Sequence, residues 1–240
     1  MTHLDYPILT SGYPLGSSAG LVAAFEWLGL PYRLTRVDMF GEMRTEAYRR
    51  LNARVETPFL VLTDGRILTE TMAIALWLEQ RDPENRISFE SGTREADRMH
   101  QLMAFINTSF TASFIPLWAA LEAEGMDHGA KDTLREFGRH MVTRRHEQLE
   151  ELVGNDPYLV GDKPTLADAI FVGVARWADF HEVVERGRYP RIEALRHRLE
   201  TDPAFEFALA IEGGDQALGG GAMKGVVPLE ELMHAAGPMV

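Results

Sequence analysis

The sequence predicts a mixed α/β domain at the start of the chain, followed by a domain made only of helices. Short apolar runs alternate with helical patterns over residues 1–81, as expected of strands and helices that share one sheet. Residues 82–92 are polar and rich in turn formers, which is typical of a linker. Beyond the linker, from residue 93 to residue 212, apolar residues recur at helical spacing.

The first elements alternate between strand and helix. Residues 6–9 predict a strand, and residues 10–18, which are rich in Gly, Pro and Ser, predict a loop. The next apolar residues recur at helical spacing, and Gly29 ends that helix. Residues 32–37 alternate as in a second strand, and residues 43–51 suit a short helix.

A strand–turn–strand unit follows. Residues 59–62 form a short apolar run with the length of a buried strand, and Asp64-Gly65 is a strong hairpin dipeptide. A second short strand at residues 67–68 leads into a helix that begins near Thr71. The predicted order of elements is therefore β-α-β-α-β-β-α.

Helices account for most of the remaining chain. Two apolar stripes at helical spacing follow the linker, and Pro116 is the expected site of a kink in the first. Two further helices are expected within residues 166–199. Residues 213–240 form a glycine-rich tail with one amphipathic turn at residues 229–232, and this tail either folds over a neighbouring surface or stays loose.

Charge and composition argue against several classes of function. The net charge of −12 and the pI of about 5.1 argue against a nucleic acid or an anionic membrane surface as partner. The longest apolar runs fall short of the ~20 residues of a membrane span, and the first residues lack a signal-peptide pattern. A cytoplasmic protein is expected. Cysteine is absent, which removes disulfides, thiolate metal sites and a cysteine nucleophile, and the histidines show no metal-binding spacing.

Two motifs carry a resemblance to a known family. The first is Thr57-Pro58, an X-Pro step at which a cis peptide has a low energetic cost, followed by the pair Glu70-Thr71 at a helix start. The second is YLVGDKPTLAD, residues 158–168. In this order and spacing, the motifs resemble those of glutathione S-transferases. The resemblance implies a thioredoxin-like first domain, an all-helical second domain, glutathione as co-substrate without a metal, and a cytoplasmic homodimer.

The resemblance also implies how glutathione is bound. Thr71 binds the γ-glutamyl carboxylate at a helix N-terminus, where free N–H groups and the helix dipole attract an anion. Glu70 accepts a hydrogen bond from the ammonium group of the ligand. The backbone of Thr57, ahead of Pro58, forms hydrogen bonds with the cysteinyl part of the ligand. The alternative is structural: Thr71 caps its helix and Pro58 shapes a turn.

The loop before the first helix is where the resemblance implies a group that stabilises the thiolate. Lowering the pKa of a thiol from about 8.5 to about 6.5 takes roughly 3 kcal/mol, and one hydrogen bond to a charged acceptor contributes roughly 1.5–3 kcal/mol. A single hydroxyl therefore suffices. The candidates are Ser17, Ser18, Tyr13 and Ser11, in that order, while Leu15 stands where serine classes carry their hydroxyl. The alternative for Ser17 or Ser18 is a simple N-cap.

Glu56 departs from the pattern of the family. Relatives often carry lysine or a neutral residue at this position, and the lysine meets the glycyl carboxylate of glutathione. A carboxylate at about 5 Å, with an effective dielectric near 20, repels that group by roughly 3 kcal/mol, or about a hundredfold in affinity. Three interpretations stay open: compensation by Arg54 or Arg36, an outward-pointing Glu56, or a weakly bound or different ligand.

Further residues are assigned to stability or to the second substrate. Thr165 and Asp168 form a capping-box pattern, so Asp168 is expected to be structural. Phe110, Phe114 and Trp118 are the candidates for the second-substrate pocket, between the loop and the kinked helix. The alternative is that this aromatic stripe belongs to the core.

Three functions stay open. The leading one is conjugation of the glutathione thiolate to a small, hydrophobic electrophile, as in detoxification. The second is a glutathione-dependent disulfide reductase or peroxidase, because two glutathiones supply the sulfur chemistry that a cysteine-free chain lacks. The third is a non-catalytic binding or scaffold protein, which Leu15 and Glu56 keep open. The sequence does not name the electrophile.

Overall fold

The structure, a computed structural model, describes residues 4–215 and 219–235. The first part of the chain forms β1 Ile8–Tyr13, α1 Ser18–Leu28, β2 Tyr32–Asp38, a 3₁₀ turn Glu42–Arg44, α2 Glu46–Leu51, β3 Phe59–Val61, β4 Ile67–Thr69 and α3 Thr71–Glu79. The second part forms α4 Arg94–Phe105, a π-helical turn Ile106–Phe110, a 3₁₀ turn Thr111–Phe114, α5 Ile115–Glu122, α6 His128–Leu152, α7 Leu166–Ala175, α8 Trp177–Phe180, α9 Pro190–Glu200 and α10 Pro203–Gly213. The tail adds β5 Met223–Val226 and α11 Leu229–Ala235. The predicted fold class is confirmed.

The strands form one mixed sheet in the order β4-β3-β1-β2-β5. β1 runs parallel to β2, and β2 runs parallel to β5, whereas β3 is antiparallel to both β1 and β4. The parallel pair β1–β2 is joined by the crossover helix α1, and the antiparallel pair β3–β4 by the tight turn at Asp64-Gly65. The order β-α-β-α-β-β-α is confirmed.

β1 is longer than the sequence suggests. Residues 10–13 continue the strand in register with β2, so the loop predicted for residues 10–18 is confined to residues 14–17. The buried hydroxyl of Thr10 donates to the Phe59 C=O at 2.9 Å and accepts from the Phe59 N–H at 2.7 Å. Thr10 is therefore compatible with a central strand, because the neighbouring strand satisfies its hydroxyl.

The tail contributes an edge strand that the sequence did not predict. β5 pairs with β2, placing Met223 opposite Tyr32. The N–H of Met223 also donates to the Glu26 carboxylate of α1 at 3.1 Å. α11, which contains the predicted amphipathic turn, buries Leu232 in a smaller core on the sheet. Glycine-rich segments carry little strand signal, so the periodicity missed β5.

The long apolar helix is broken ahead of the proline that was expected to kink it. The π-helical turn and the 3₁₀ turn separate α4 from α5, and Pro116 lies in the first turn of α5, where its missing N–H costs no helical bond. Among the described residues, the combined helix Arg94–Glu122 is long and apolar enough to cross a membrane by length and composition alone. A buried core helix passes the same test, and the inward face of this one packs in the helical core.

α1 and α7 join the two parts of the chain at very short range. A Cβ on Gly20 would lie 1.9 Å from the Ala169 carbonyl oxygen, and a Cβ on Gly173 would lie 2.3 Å from the Ser17 carbonyl oxygen. Any side chain at either position would push the helices apart, so both positions require glycine. The contact fixes the start of α1 against the helical part.

The predicted capping box at the start of α7 is confirmed. The fully buried Asp168 carboxylate accepts from the Thr165 N–H at 2.9 Å and from the Thr165 hydroxyl at 2.6 Å. It also accepts from the Leu159 N–H at 2.9 Å, which ties the preceding loop to the helix.

His146 is a buried, neutral base in α6. Its ring centroid lies 4.8 Å from that of Phe110 and 5.4 Å from that of Tyr189. Burial lowers the pKa of His146 to about 4, and the positive charge of Arg196 acts in the same direction, although the hydrogen bond to the Val142 C=O opposes it.

The buried His146 makes stability depend on pH. The unfolded chain protonates this residue near pH 6.5 and the folded chain only near pH 4, so the free energy of unfolding falls as the pH decreases between these values. Between pH 7 and pH 4.5, the wild type is expected to lose about 2–3 kcal/mol more than a His146→Gln variant. Urea unfolding of both proteins at both pH values measures this loss. A difference in unfolding free energy between wild type and His146→Gln that stays the same at the two pH values would contradict the prediction.

Candidate active site

A cleft of about 600 Å³ lies between the α/β part and the helical part, a size that suits a small-molecule ligand. Its α/β wall comes from the loop before α1 and from the segments after β2 and before β3, and its helical wall comes from α5 and α8. The lining residues are Leu15, Gly16, Ser17, Met39, Phe40, Met43, Arg44, Val55, Glu56, Thr57, Trp118, Glu122 and Trp177.

Ser17 is the candidate hydroxyl that lines this cleft. It occupies the N-cap position of α1, but its side chain makes no capping hydrogen bond, so the simple N-cap interpretation is wrong. The hydroxyl is available to donate to a ligand beside the N-terminus of an 11-residue helix. Both the hydroxyl and the helix N-terminus favour an anion at this point.

Ser18 and Ser11 do not line the cleft. Both side chains are buried, their hydroxyl oxygens lie 3.1 Å apart, and the Ser18 hydroxyl accepts from the Gly12 N–H at 3.0 Å. These bonds tie the start of α1 to the end of β1. The expectation that either hydroxyl reaches the sulfur of a bound thiol is therefore corrected, because both are enclosed by the protein.

Tyr13 is likewise absent from the lining of the cleft. The guanidinium carbon of Arg36 lies 4.0 Å from the centre of its ring, and Nη2 of Arg36 donates to the Glu212 C=O at 2.8 Å. Arg36 thus links the end of β1 to α10. It does not pair with Glu56, which removes one of the two sequence-based candidates for compensating that carboxylate.

Side chains from the helical part hold the loop before α1. Leu15 has a φ of 60°, which costs a non-glycine residue on the order of 1–3 kcal/mol. Its N–H donates to Glu212 at 2.7 Å, and its C=O accepts from the Trp177 indole at 2.8 Å. The Gly16 C=O accepts from Arg176 at 2.9 Å. These partners could not be predicted from local sequence patterns, because they lie about 160 or more residues along the chain from the loop.

Thr57 offers unpaired backbone groups to the cleft. The Thr57-Pro58 peptide is cis, as the sequence suggests. Within residues 4–215 and 219–235, the N–H and C=O of Thr57 have no hydrogen-bond partner. The preceding carbonyl, of Glu56, is occupied, since it accepts from the Tyr48 hydroxyl at 2.7 Å and from the Asn52 amide at 2.9 Å. An extended peptide ligand can therefore pair with Thr57.

Arg54 links the two acidic residues of the site. Its Nε donates to Glu56 at 3.0 Å, and its Nη1 lies 3.0 Å from the Glu70 carboxylate. The hydrogen bond to Glu56, followed by the charges of Glu56 and Glu70, raises the pKa of Arg54. Compensation by Arg54 is thus the interpretation of Glu56 that the geometry supports, although the Glu56 side chain is itself exposed at the cleft.

The start of α3 is an open helix N-terminus. Thr71 is the first residue of the helix, and Glu70, with a φ of 74°, precedes it. Glu70 makes no side-chain capping bond, and Thr71 lies inside the helix, which corrects the alternative that Thr71 caps its own helix. Neither residue lines the cleft itself, but Arg54 connects Glu70 to Glu56, which does.

Trp118 and Trp177 form the helical wall of the cleft, with ring centroids 5.4 Å apart in an edge-to-face contact. Phe110 and Phe114 are fully buried in the helical core instead, so the expectation that they line this pocket is wrong. The π-helical and 3₁₀ turns that carry them pack toward α6 and α7, where Phe110 contacts Phe171.

The segment after β2 supplies lining residues that were not predicted from the sequence. Met39, Phe40 and Met43 line the cleft, and Phe40 is 49% exposed. Arg44 lies 5.5 Å from the centre of the Phe40 ring and 3.8 Å from the Glu122 carboxylate across the cleft. The sequence does contain a signal for these residues, namely large apolar side chains in a turn between a strand and a short helix.

The histidines within residues 4–215 and 219–235 do not form a metal centre. Within the part of the chain that the structure describes, no three His, Asp or Glu side chains are placed to hold a metal ion. His181 lies against Trp118, with centroids 4.5 Å apart, and burial lowers the pKa of His181.

Family models match both parts of the chain. The model described as "Glutathione S-transferase, N-terminal domain" matches residues 18–81, and the model described as "Glutathione S-transferase, C-terminal domain" matches residues 118–203. Together they cover more than half of the 240 residues.

Individual proteins agree with the family models. The chain is 28% identical over 203 residues to maleylacetoacetate isomerase of Pseudomonas aeruginosa, which covers 82% of this chain and 92% of that protein. A glutathione transferase structure from Methylococcus capsulatus is 28% identical, with a TM-score of 0.72, over 85% of this chain and 98% of that one. A glutathione transferase homologue from Sulfitobacter, solved with bound glutathione, is 21% identical, with a TM-score of 0.76, over 88% of this chain and 99% of that one. At that identity, the last likeness shows the fold alone.

Proposed function

The chain belongs to the glutathione S-transferase family, and we propose that it transfers the thiolate of glutathione to a small, hydrophobic electrophile. One observation carries this proposal: Ser17 lines the cleft between the two parts of the chain, at the start of α1, and its side chain makes no capping bond of its own. A hydroxyl in this position donates to a sulfur anion and favours the thiolate over the thiol.

Glutathione, the co-substrate in this proposal, spans Thr57 and the start of α3. The unpaired N–H and C=O of Thr57 bind the cysteinyl residue, and Ser17 lines the same cleft. The open N–H groups at Thr71 take the γ-glutamyl carboxylate, and Glu70 accepts from the ammonium group. Arg54 offsets the charges of the acidic side chains beside the ligand.

The proposed chemistry depends on the thiolate. The hydrogen bond from Ser17 contributes roughly 1.5–3 kcal/mol, and the N-terminus of α1 contributes roughly 0.3–2 kcal/mol. Together they suffice to lower the pKa of the thiol from about 8.5 to near 6.5. The bound thiol loses its proton to solvent. The thiolate then attacks the electrophilic carbon, a C–S bond forms, and the leaving group departs with the bonding electron pair.

The apolar side chains that line the cleft with Ser17 support an apolar second substrate. Two methionines and a phenylalanine come from the segment after β2, and two tryptophans come from α5 and α8: Met39, Met43, Phe40, Trp118 and Trp177. Aromatic faces and flexible thioethers adapt to flat apolar molecules of varied shape.

Turnover of an activated aryl chloride by the wild-type protein tests the proposal. Conjugation consumes one glutathione for each chloride released and yields an aryl thioether. Oxidation of glutathione by an organic hydroperoxide, without thioether formation from any aryl or alkyl halide, would instead support a peroxidase. Glutathione binding with neither reaction would support a non-catalytic protein.

Arg54→Ala is expected to weaken glutathione binding several-fold. Without Arg54, the carboxylates of Glu56 and Glu70 face the carboxylates of the ligand without compensation. Arg66→Ala is the matched control, because it removes another exposed arginine whose carboxylate partner, Asp64, lies outside the site. Calorimetric titration compares the three proteins, and equal affinities would contradict the role of Arg54.

Isomerisation of maleylacetoacetate is a second candidate function. The observation that favours it is the Pseudomonas aeruginosa relative of that name, which aligns with 82% of this chain. An isomerase returns the glutathione that it uses, whereas conjugation consumes it. Turnover of maleylacetoacetate beyond the amount of glutathione supplied would support the isomerase, and turnover that stops with the supply would exclude it.

We also propose that the protein is a homodimer of the cytoplasm, where a pool of glutathione supplies the co-substrate. Sedimentation velocity measures the assembly, and a mass near the 26.9 kDa of one chain would contradict the dimer.

A further inference from the structure

A largely, but not fully, buried ion pair of the helical part contacts the two residues that precede Ser17. The side chains of Arg176 and Glu212 are only 15% and 11% exposed, and the two groups are joined by bidentate hydrogen bonds. Nη2 of Arg176 also donates to the Gly16 C=O at 2.9 Å, and Oε1 of Glu212 accepts from the Leu15 N–H at 2.7 Å. Two consecutive residues of the loop are thus bound by one ion pair.

We propose that Arg176 and Glu212 form a positioning pair for Ser17. By fixing the backbone of Leu15 and Gly16, the pair directs the Ser17 hydroxyl at the thiol in the cleft. The inference rests on the proposed function, since it concerns the same hydroxyl. In this inference, two side chains of the helical part set the orientation of the Ser17 hydroxyl, which belongs to the α/β part.

The conformation of the loop explains why Ser17 needs such support. Leu15 adopts the left-handed region, with a φ of 60°, and both of its polar backbone groups are held by the helical part, through Glu212 and Trp177. The Ser17 side chain makes no capping bond that would fix it from within α1. Its direction therefore follows from the backbone, which Arg176 and Glu212 hold in place.

A second ion pair provides a matched control for a purely structural role. Arg196, also in the helical part, is 16% exposed and pairs with Asp179 and Glu200. It neither contacts the loop before α1 nor lines the cleft. Weakening either pair is expected to lower stability, but only the pair that holds the loop is expected to change the chemistry of the bound thiol.

The test compares Arg176→Lys, Glu212→Gln and Arg196→Lys with the wild type. The pKa of the thiol of bound glutathione is measured from thiolate absorbance, alongside kcat, KM and affinity. Both Arg176→Lys and Glu212→Gln are expected to raise that pKa by about 1 and to lower kcat near pH 6.5 about fivefold, with the KM for glutathione little changed. Arg196→Lys is expected to match the wild type in all of these readouts.

A double-mutant cycle with Ser17→Ala shows whether the pair acts through Ser17. If it does, Arg176→Lys causes no further rise of the pKa in the Ser17→Ala background. A normal pKa in Arg176→Lys and Glu212→Gln, with a raised pKa in Ser17→Ala, would overturn this inference and leave the proposed function standing. An equal rise in both backgrounds would also overturn it. A normal pKa in Ser17→Ala itself would overturn the proposed role of Ser17 and this inference together.

Discussion

Ser17→Ala is expected to lower kcat/KM for an activated aryl chloride about 10- to 100-fold. The change removes one hydrogen bond to a charged sulfur, which contributes roughly 1.5–3 kcal/mol, and each 1.4 kcal/mol corresponds to about a factor of ten. The loss should be largest below pH 7, because the thiol of bound glutathione regains its proton as its pKa rises. Because Thr57 and the start of α3 are untouched, the calorimetric affinity for glutathione should change little.

Tyr13→Phe is the matched control for Ser17→Ala, because it removes another hydroxyl from the neighbouring end of β1. Tyr13 packs against Arg36 and does not line the cleft, so this variant should retain wild-type kcat/KM. A loss of activity in Tyr13→Phe together with full activity in Ser17→Ala would contradict the assignment of Ser17.

Asp168→Ala is expected to lower the free energy of unfolding by about 3–5 kcal/mol. The substitution leaves three buried donors without an acceptor, namely the Leu159 N–H, the Thr165 N–H and the Thr165 hydroxyl. Each unsatisfied buried donor costs about 1–3 kcal/mol, and the energies add only in part. Thermal and urea unfolding measure the loss, which corresponds to a decrease in Tm on the order of 10 °C for a chain of this size.

Asp127→Ala is the control for the loss of an ordinary helix cap. Asp127 caps α6 at the surface and accepts from the Ala130 N–H at 3.0 Å, so its removal should cost only about 1 kcal/mol. Equal destabilisation by the two substitutions would contradict a special role for buried Asp168.

The titration of Asp168 adds a pH dependence to its contribution. Burial raises the pKa of Asp168 to about 6, although four hydrogen bonds, from the Thr165 side chain and from backbone groups, act in the opposite direction. The folded state therefore holds the proton more tightly than the unfolded chain does. The contribution of this carboxyl to stability is largest below the unfolded pKa near 4, and it declines as the pH rises through about 6.

Local sequence patterns were sufficient for the fold class and for the local elements that carry the candidate glutathione-binding residues. The helix signals around Gly29 and Thr71, the hairpin at Asp64-Gly65 and the capping box at Asp168 are each encoded within a few residues, and the structure contains all of them. Such features depend on backbone chemistry that neighbours in sequence supply.

The choice among four hydroxyls could not be made from the sequence. Ser17 and Ser18 are adjacent and chemically identical, and only the packing of α1 against β1 encloses one and leaves the other at the cleft. The burial of Phe110 could not be predicted from the sequence for the same reason. Phe110 lies on one helical stripe with Trp118, but the break between α4 and α5 turns it into the core.

Contacts between distant segments account for the rest of what was missed. Arg176 and Glu212 reach the loop before α1 from 160 and 197 residues away, and β5 joins the sheet from the far end of the chain. Single-sequence periodicity reports one element at a time, so it contains no information about such pairings.

The measurement that tests the central claim most directly is a calorimetric titration of the wild-type protein with glutathione, in parallel with Glu56→Lys. We expect the wild type to bind one glutathione per chain, because Arg54 already offsets Glu56, and we expect Glu56→Lys to bind with at most modestly higher affinity. Binding in Glu56→Lys but not in the wild type would mean that the intact site is charged against glutathione and takes another ligand. No binding in either protein would contradict the proposed enzyme.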